Sequence, residues 1–458
     1  MIENDAFKLL LINLFHLNPD DIANIFCTTF NKMMVLIVTL ADKHQACPYC
    51  GFTAPKIKEY VTKEITHSAL TTQKCIIKYR ARRYKCPCCG KTYYEFNPFV
   101  FKSQKISILT VHNILKDLKD FNETFTSVAR RYHVSPTSVS TIFDNHVDIG
   151  RNPLPEIINF DEVYAFKSEK SKYVCVLLDF KKQIPVDVLP NRKKEYLLNY
   201  FQKIPLEERK KVKYACSDMY EVYRDVVHKV FPEAKHLLDY FHLSQDFHKK
   251  MNEVRIKVMK GYKDNKASDE YYLLKKFNWL LFKNPEDEDK HGRLFDVERE
   301  RKYNSHFKSY MNYYDLRKKL LEINNDLTIC YSLKLELVDF YSKSTIDNAK
   351  VNLENLIRSC IDTNIEEMIK FSNNLINWKQ EIINSFTIVD TEYKVEADKG
   401  QVVVCNKKVN NAIIENRNKI IKCIKNNANG YTNWLRFRNR VMYVLDPNAS
   451  FSLEPREK

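Results

Sequence analysis

Two cysteine knuckles, Cys47-Pro-Tyr-Cys50-Gly51 and Cys86-Pro-Cys88-Cys89-Gly90, start 39 residues apart and constrain the fold more than any other feature of the chain. Each tight turn presents two sulfurs, and its glycine lets backbone amides approach them, so the pair suits one tetrahedral thiolate site. Cys47, Cys50, Cys86 and Cys89 are the expected zinc ligands. Cys88 is the spare and could replace Cys86 only with poorer knuckle geometry. The 13 cysteines are odd in number and spread thinly through 458 residues with no secretory leader. That usage fits a reducing interior, where close cysteine pairs bind metal rather than form disulfides. Between the knuckles, residues 76–84 alternate apolar and basic side chains. The pattern predicts a strand whose Arg80, Arg82 and Arg83 offer a cationic edge to phosphate.

The charge agrees with such a partner. Lys and Arg number 74 against 58 acidic residues, a formal net charge of +16, which favours a polyanion. Length predicts roughly three domains. The apolar run at 33–40 is far short of the ~20 residues that span a bilayer, so no membrane partner is expected. Residues 1–40 read as a helical segment, with Leu9, Leu10, Leu14, Phe15, Ile22, Ile25 and Phe26 in helical patches and a strand at 32–40. Residues 41–100 read as a zinc-binding, ribbon-like domain.

Residues 101–150 carry a helix-turn-helix rhythm. Val128, Ala129 and Tyr132 form one apolar face and Val134 fills a turn. Ser135 caps a second helix with Pro136 at its first position, and Val139, Ile142 and Phe143 face inward. Thr137, Ser138 and Thr141 would then point toward a DNA groove, with Arg130 and Arg131 on phosphate.

After the proline-marked linker Arg151-Asn-Pro-Leu-Pro155 the texture changes. Strands are predicted at 157–166, 172–180 and 183–189, a helix at 193–204, a strand at 212–217, a helix at 220–230 and a strand at 234–238. Three meandering strands followed by helix, strand, helix, strand is the order of an RNase H-like domain. Asp161 on the first strand and Asp218 at the end of the fourth can lie side by side in such a sheet. Bridging carboxylates of this kind hold two Mg²⁺ ions, or Mn²⁺ in their place, about 3.5–4 Å apart for in-line attack on phosphorus. Asp161 and Glu162 point to opposite faces of a regular strand, so Asp161 is the expected ligand.

In these pieces the chain resembles the DDE transposases of the ISL-three family of bacterial insertion sequences. The resemblance rests on the paired knuckles, the helix-turn-helix, Asp161-Glu162 with Tyr173, Asn191-Arg192, Ser217-Asp218-Met219 with Tyr223, and Asp239-Tyr-Phe-His242. It resumes at Glu415-Asn-Arg-Asn418, Ile421-Lys422, Gly430-Tyr431 and Phe437-Arg438-Asn-Arg440. It implies a catalytic triad of Asp161, Asp218 and Glu415, with Glu162, Arg192, Asp239 and His242 as supporting positions. His242 reads equally as a phosphate contact or as a structural histidine beside Tyr240. The family commonly has Gly after its catalytic Glu, where this chain has Asn416; Asn tolerates unusual backbone angles better than most residues.

The expected architecture is therefore multidomain α+β. A zinc ribbon-like module and a helix-turn-helix precede an RNase H-like α/β core at 151–245, interrupted by a long all-helical insertion at 246–400. The core resumes at 401–458, where a basic helix at 411–426 carries Glu415 and sets Lys422 toward phosphate. The implied activity is Mg²⁺-dependent cleavage at terminal inverted repeats and strand transfer to target DNA. It would be carried out by a homodimer in the bacterial cytoplasm, associated with the nucleoid. A catalytically inactive DNA-binding regulator derived from a transposase, and an RNase H-like nuclease acting on another nucleic acid, are the alternatives.

Overall fold

Period-two alternation carries the amino-terminal part of the chain into a sheet. The computed structural model describes residues 2–43, 45–68, 70, 72–101, 104–166, 171–394 and 402–456. Helix α1 (Ile2–Leu14) precedes strands β1 (Ile22–Phe30), β2 (Met33–Leu40), β3 (Lys56–Thr66), β4 (Cys75–Lys85) and β5 (Thr92–Tyr94). Their order is β1-β2-β4-β3, with β5 on β4. Asn31 and Lys32, at φ 50° and 61°, make the two-residue turn between β1 and β2.

Two expectations change here. Ile22, Ile25 and Phe26 are in a strand, not a helical patch. A bulge between Ile22 and Asn24 turns Ile22 and Ile25 to the same buried face, so the spacing imitates a helix. In addition, β4 is an interior strand flanked by β2 and β3 and presents no cationic edge. The sheet also runs straight through the boundary expected at residue 40.

Three helices follow: α2 (Ile108–Asp117), α3 (Phe125–Arg131) and α4 (Pro136–His146). Thr124 and Ser127 form a capping box at α3. The Ser138 amide donates to the Ser135 hydroxyl (3.0 Å) at the start of α4. His133, at φ 54°, makes the turn between them. Val128, Ala129, Val139, Ile142 and Phe143 share one core with α2.

The central sheet comprises β6 (Ile157–Val163), β7 (Val174–Asp179), β8 (Pro185–Leu189), β9 (Tyr214–Ser217) and β10 (Lys235–Leu238). Helices α5 (Lys194–Gln202) and α6 (Leu206–Arg209) lie between β8 and β9, and α7 (Glu221–Val230) between β9 and β10. The order is β10-β9-β6-β7-β8. β6, β7 and β8 are antiparallel neighbours, whereas β9 runs parallel to both β6 and β10. β6 and β9 are therefore adjacent and co-directional, which carries Asp161 and the end of β9 to the same region. Phe160, Leu177 and Ala215 pack against α5 and α7 on one face.

From α8 (Tyr240–Lys260) the chain leaves the sheet for α9 (Asp269–Lys276), then β11 (Glu288–Asp289), β12 (Gly292–Arg293), β13 (Lys302–Asn304) and β14 (Ser309–Met311). Helices α10 (Tyr313–Glu322), α11 (Asn325–Lys343), α12 (Ala349–Asp362), α13 (Glu366–Asn377) and α14 (Lys379–Asn384) complete the excursion, with a core of their own. The expectation of an all-helical insertion is corrected by its two small hairpins, β11–β12 and β13–β14. They are too short for period-two alternation to register. β15 (Ile388–Lys394) pairs with β16 (Val402–Lys408); the boundary expected at 400/401 lies outside the described residues.

Helices α15 (Ala412–Asn427) and α16 (Trp434–Leu445) return to cover the other face of the sheet, burying Ile414, Ile421, Phe437 and Val441 on Val163, Val176 and Leu178. The arginines of α16 are structural. Arg436 pairs with Asp144 (2.6 Å) and Arg438 with Asp187 (2.6 Å). Arg440, 1% exposed, donates to the carbonyls of Asp120 (2.8 Å) and Glu123 (2.7 Å). Arg436 and Arg440 fasten α16 to the three-helix module, and Arg438 fastens it to β8. Arg440→Met should therefore cost about 3 kcal/mol in denaturant unfolding, because two carbonyls lose a charged donor. An unchanged unfolding midpoint would contradict that role. Among the described residues, no helix is long and apolar enough to cross a membrane.

Candidate active site

The acidic groups of the site lie on a strand, directly after a strand, or where a helix returns to the sheet. Asp161 is on β6, Asp218 directly follows β9 and Asp239 directly follows β10. Glu415 lies in the first turn of α15. That helix is positioned by asparagines. Asn159 of β6 donates to the Asn410 carbonyl (2.8 Å) and the Asn411 side chain (2.7 Å). Asn411 in turn donates its amide to Asp239 Oδ1 (3.2 Å) and its side chain to the Phe160 carbonyl (3.2 Å). One turn beyond Glu415, Asn418 donates to Asp161 Oδ2 (2.8 Å). Asn411, Glu415 and Asn418 share one helix face by their i, i+4 and i, i+3 spacing. That face is the one presented to the aspartates.

The closest grouping is Asp239, His242 and Glu415, each offering an atom within 4.8 Å of the others. Asp161 and Asp218 complete the cluster at Coulombic range. Burial first, then Asp218, with Glu415 and Asp239 adding and His242 opposing, pushes the Asp161 carboxyl up to about 7. Burial also raises Asp218, against the pull of His242 and Arg192, and raises Asp239, against the Asn411 amide and His242. Asn159 Oδ1, Asn418 Oδ1, Asp218 Oδ1 and His242 Nε2 are buried here without a hydrogen-bond partner. The last lies 3.9 Å from Asp239 Oδ2, beyond hydrogen-bonding distance. Crowded, desolvated carboxylates with an orphaned oxygen fit a divalent cation. A groove of about 630 Å³ leads away from Asp218 and His242 along α8, lined by Gln245, Lys249 and Asn252.

The raised Asp161 pKa has a stability consequence. A carboxyl whose folded pKa exceeds its unfolded value of about 3.9 stabilises the fold below that value and loses the contribution as pH rises through about 7. Metal-stripped protein should therefore melt at a lower temperature at pH ~8 than at pH ~5.5. Mg²⁺ or Mn²⁺ should raise the melting temperature more at the higher pH. A pH-independent metal effect would show that Asp161 does not titrate in this range.

Glu162 faces the opposite side of β6, where it pairs with Arg192 and accepts from Tyr223 (3.1 Å). Arg192 is held between the rings of Tyr173 and Tyr220, 4.7 Å from each. Its charge still lowers Asp218 across the strand end. Sequence reasoning attached no role to Asn411 or Asn418. The available signal was a pair of asparagines flanking Glu415 on an otherwise apolar helix face. Asn416, where the resembled family has Gly, sits in regular helix at negative φ and is exposed, so tolerance of unusual angles is not needed.

The second constellation is the pair of knuckles. Cys47, Cys50, Cys86 and Cys89 bring their sulfurs within 4.8 Å of one another, with Cys47–Cys89 at 3.7 Å and Cys50–Cys86 at 3.5 Å. Zn–S bonds of about 2.3 Å imply tetrahedral S–S edges of about 3.8 Å, so the spacing fits. Gly51 and Gly90, at φ 76° and 70°, each donate an amide to the carbonyl of their knuckle's first cysteine (2.9 Å). Cys88 stays outside the group.

Of the residues expected on DNA, Thr137 and Thr141 are exposed on α4, and Arg130 and Lys422 are exposed on α3 and α15. Ser138 is half-buried, its hydroxyl turned to Ser135 (2.8 Å). Arg131 is taken up by Asp117 and Glu123. Arg82 pairs with Glu95 (2.8 Å) and Arg83 with Glu59 (2.6 Å). Arg80 is exposed and lies over the Tyr60 ring at 4.9 Å. The cationic reading of residues 76–84 thus narrows to Arg80, because acidic neighbours outside that stretch neutralise the other two.

Comparison with known proteins gives a family profile, DDE_Tnp_ISL3, described as transposase, which matches residues 158–397. That is a little over half of the 458 residues. The chain belongs to the ISL3 family of transposases. The matched span takes in Asp161, Asp218, Asp239 and His242 and stops short of Glu415. A similar protein is the transposase for insertion sequence element IS1001 of Bordetella parapertussis. It is 19% identical over 409 residues, covering 89% of this chain and 90% of that protein. Family membership makes a DNA-processing enzyme of this chain and implies use of a divalent metal.

Proposed function

We propose that this transposase binds the terminal inverted repeats of its own insertion sequence and catalyses Mg²⁺-dependent cleavage and strand transfer, with Asp161, Asp218 and Glu415 as the DDE triad. The observation that carries the reading is the convergence of Asp161 on β6, and of Asp218 and Asp239 directly after β9 and β10, with a helix-borne glutamate. Such a cluster raises its own proton affinities unless cations neutralise it. In this reading β6–β10 with α15 are an RNase H-like core, and Asp161, Asp218 and Glu415 hold the metal through hard oxygen donors. Asp239 lies close enough to share the load. When bound, Mg²⁺ supplies Lewis-acid stabilisation of phosphate charge and a more acidic nucleophile.

The other residues hold and orient. Asn411 and Asn418 set the reach of Glu415. Arg192, clamped by two rings and paired with Glu162, keeps positive charge behind Asp218. His242 Nε2, without a partner, is placed to contact a phosphate oxygen. Lys249 lines the groove along α8 and can follow the backbone of a nucleic-acid strand. Zinc at the four cysteines staples the knuckles beside β4 and β5 into a structural, ribbon-like module of the amino-terminal sheet. Helix α4, through Thr137 and Thr141 with Arg130 on phosphate, reads the ends. A homodimer brings two ends together.

The test is incubation of purified protein with its own element ends and Mg²⁺, with products resolved to the nucleotide. Cuts at the repeat boundaries that need metal are the expected result. Binding without cutting would leave a regulator, and cutting without preference for the repeats would leave a general nuclease.

A further inference from the structure

On the far edge of the central sheet, His236 of β10 and His228 of α7 meet Glu381 of α14, each offering an atom within 4.8 Å of the other two. The Ser217 hydroxyl lies 2.9 Å from both the Asp218 carbonyl and His236 Nε2. In the tautomer with the hydrogen on Nε2, the hydroxyl donates to the carbonyl and accepts from His236, which leaves Nδ1 a bare lone pair. That nitrogen is buried without a hydrogen-bond partner, in a residue 1% exposed.

Glu381 is 5% exposed, and its carboxylate lies 4.0 Å from His228 Nε2, too far for a hydrogen bond. The neighbouring cation, Arg224, is directed away, over the Trp378 ring (4.3 Å) and onto the Asn377 carbonyl (2.9 Å). A buried lone pair and a buried carboxylate without close donors are each costly. A single cation between them removes both costs.

We infer that His228, His236 and Glu381 bind a divalent transition-metal ion, zinc by donor set, at a site distinct from both the cysteine knuckles and the carboxylate cluster. Two imidazoles and one carboxylate with a fourth position for water form a recurrent zinc site. The outer hydrogen bond is also of the expected kind, since a ligating imidazole usually donates its other N–H to a fixed acceptor. Here that acceptor is Ser217, whose hydroxyl also holds the Asp218 carbonyl. The ion would tie α14 of the insertion to the strand beside the one that ends at Asp218.

The experiment measures zinc per chain in the full-length protein after equilibrium dialysis against a low concentration of free Zn²⁺, beside His228→Ala and Glu381→Gln. The His228 side chain is 56% exposed, so its removal leaves the core packed. The expected result is one zinc fewer per chain in either variant, with the cysteine-bound zinc retained. In Co²⁺-loaded protein, the difference spectrum between wild type and variant should lack thiolate charge-transfer absorption. Equal zinc content in wild type and His228→Ala would overturn the site. So would a Zn²⁺-induced rise in melting temperature that is the same in both.

Discussion

Asp218→Asn protein is expected to bind element-end DNA as the wild type does and to cleave it at least about a thousandfold more slowly. The substitution keeps volume and removes charge from a buried oxygen that has no partner in the folded chain. A thousandfold loss corresponds to about 4 kcal/mol of transition-state stabilisation, in the range that one electrostatic contact to the reacting phosphate can supply. The measurement is single-turnover cleavage of a labelled repeat with Mg²⁺ in excess, together with a mobility-shift titration. Binding should be preserved because the exposed threonines of α4 are remote in sequence and belong to a separate core. Cleavage that survives in Asp218→Asn would remove the triad assignment. Asn418→Ala should act in the same direction but more weakly, since it only positions Asp161 and α15 against each other.

Loss of the thiolate site should be the largest effect on folding. Cys47→Ser is expected to release one zinc per chain and to unfold the amino-terminal sheet at ordinary temperature. Structural zinc sites are worth about 10–16 kcal/mol of apparent binding energy, and β5 with the second knuckle has little else to hold it. The small core there comprises Cys47, Tyr84, Cys86 and Tyr93, two of which are ligands. Metal content and amide exchange over β3–β5 would report the loss. Cys88→Ser, outside the cluster, is the matched control and should change neither. A Cys47→Ser protein that keeps its metal and its sheet would refute the site.

How much of this was legible before folding depends on how local each signal is. The five strands of the central sheet follow runs of four to seven residues and the helices between them runs of four to ten, and hydrophobic pattern reports runs of that length. The capped helices α3 and α4 were readable for the same reason, their caps and turn lying within neighbouring residues. The bulged β1 was not. One extra residue converts strand alternation into apparent helical spacing, and only pairing with β2 distinguishes the two. Arg82, Arg83 and Arg131 read as phosphate contacts because their acidic partners, Glu95, Glu59 and the pair Asp117 and Glu123, lie eight or more residues away.

The sequence by itself determined the parts list: two knuckles with the spacing of a thiolate site, a capped helical hairpin, acidic residues beside strands, and a basic helix carrying Glu415 after a long excursion. Each depends on residues close in the chain, where steric and capping rules act directly. Tertiary structure alone decided which carboxylates share one low-dielectric space and which arginines spend their charge internally. It also decided that asparagines, through Asn159, Asn411 and Asn418, bring a helix more than 250 residues downstream against β6. The physical reason is that burial and Coulombic coupling depend on distance in space, and an insertion with its own core leaves the two ends of the site free to meet.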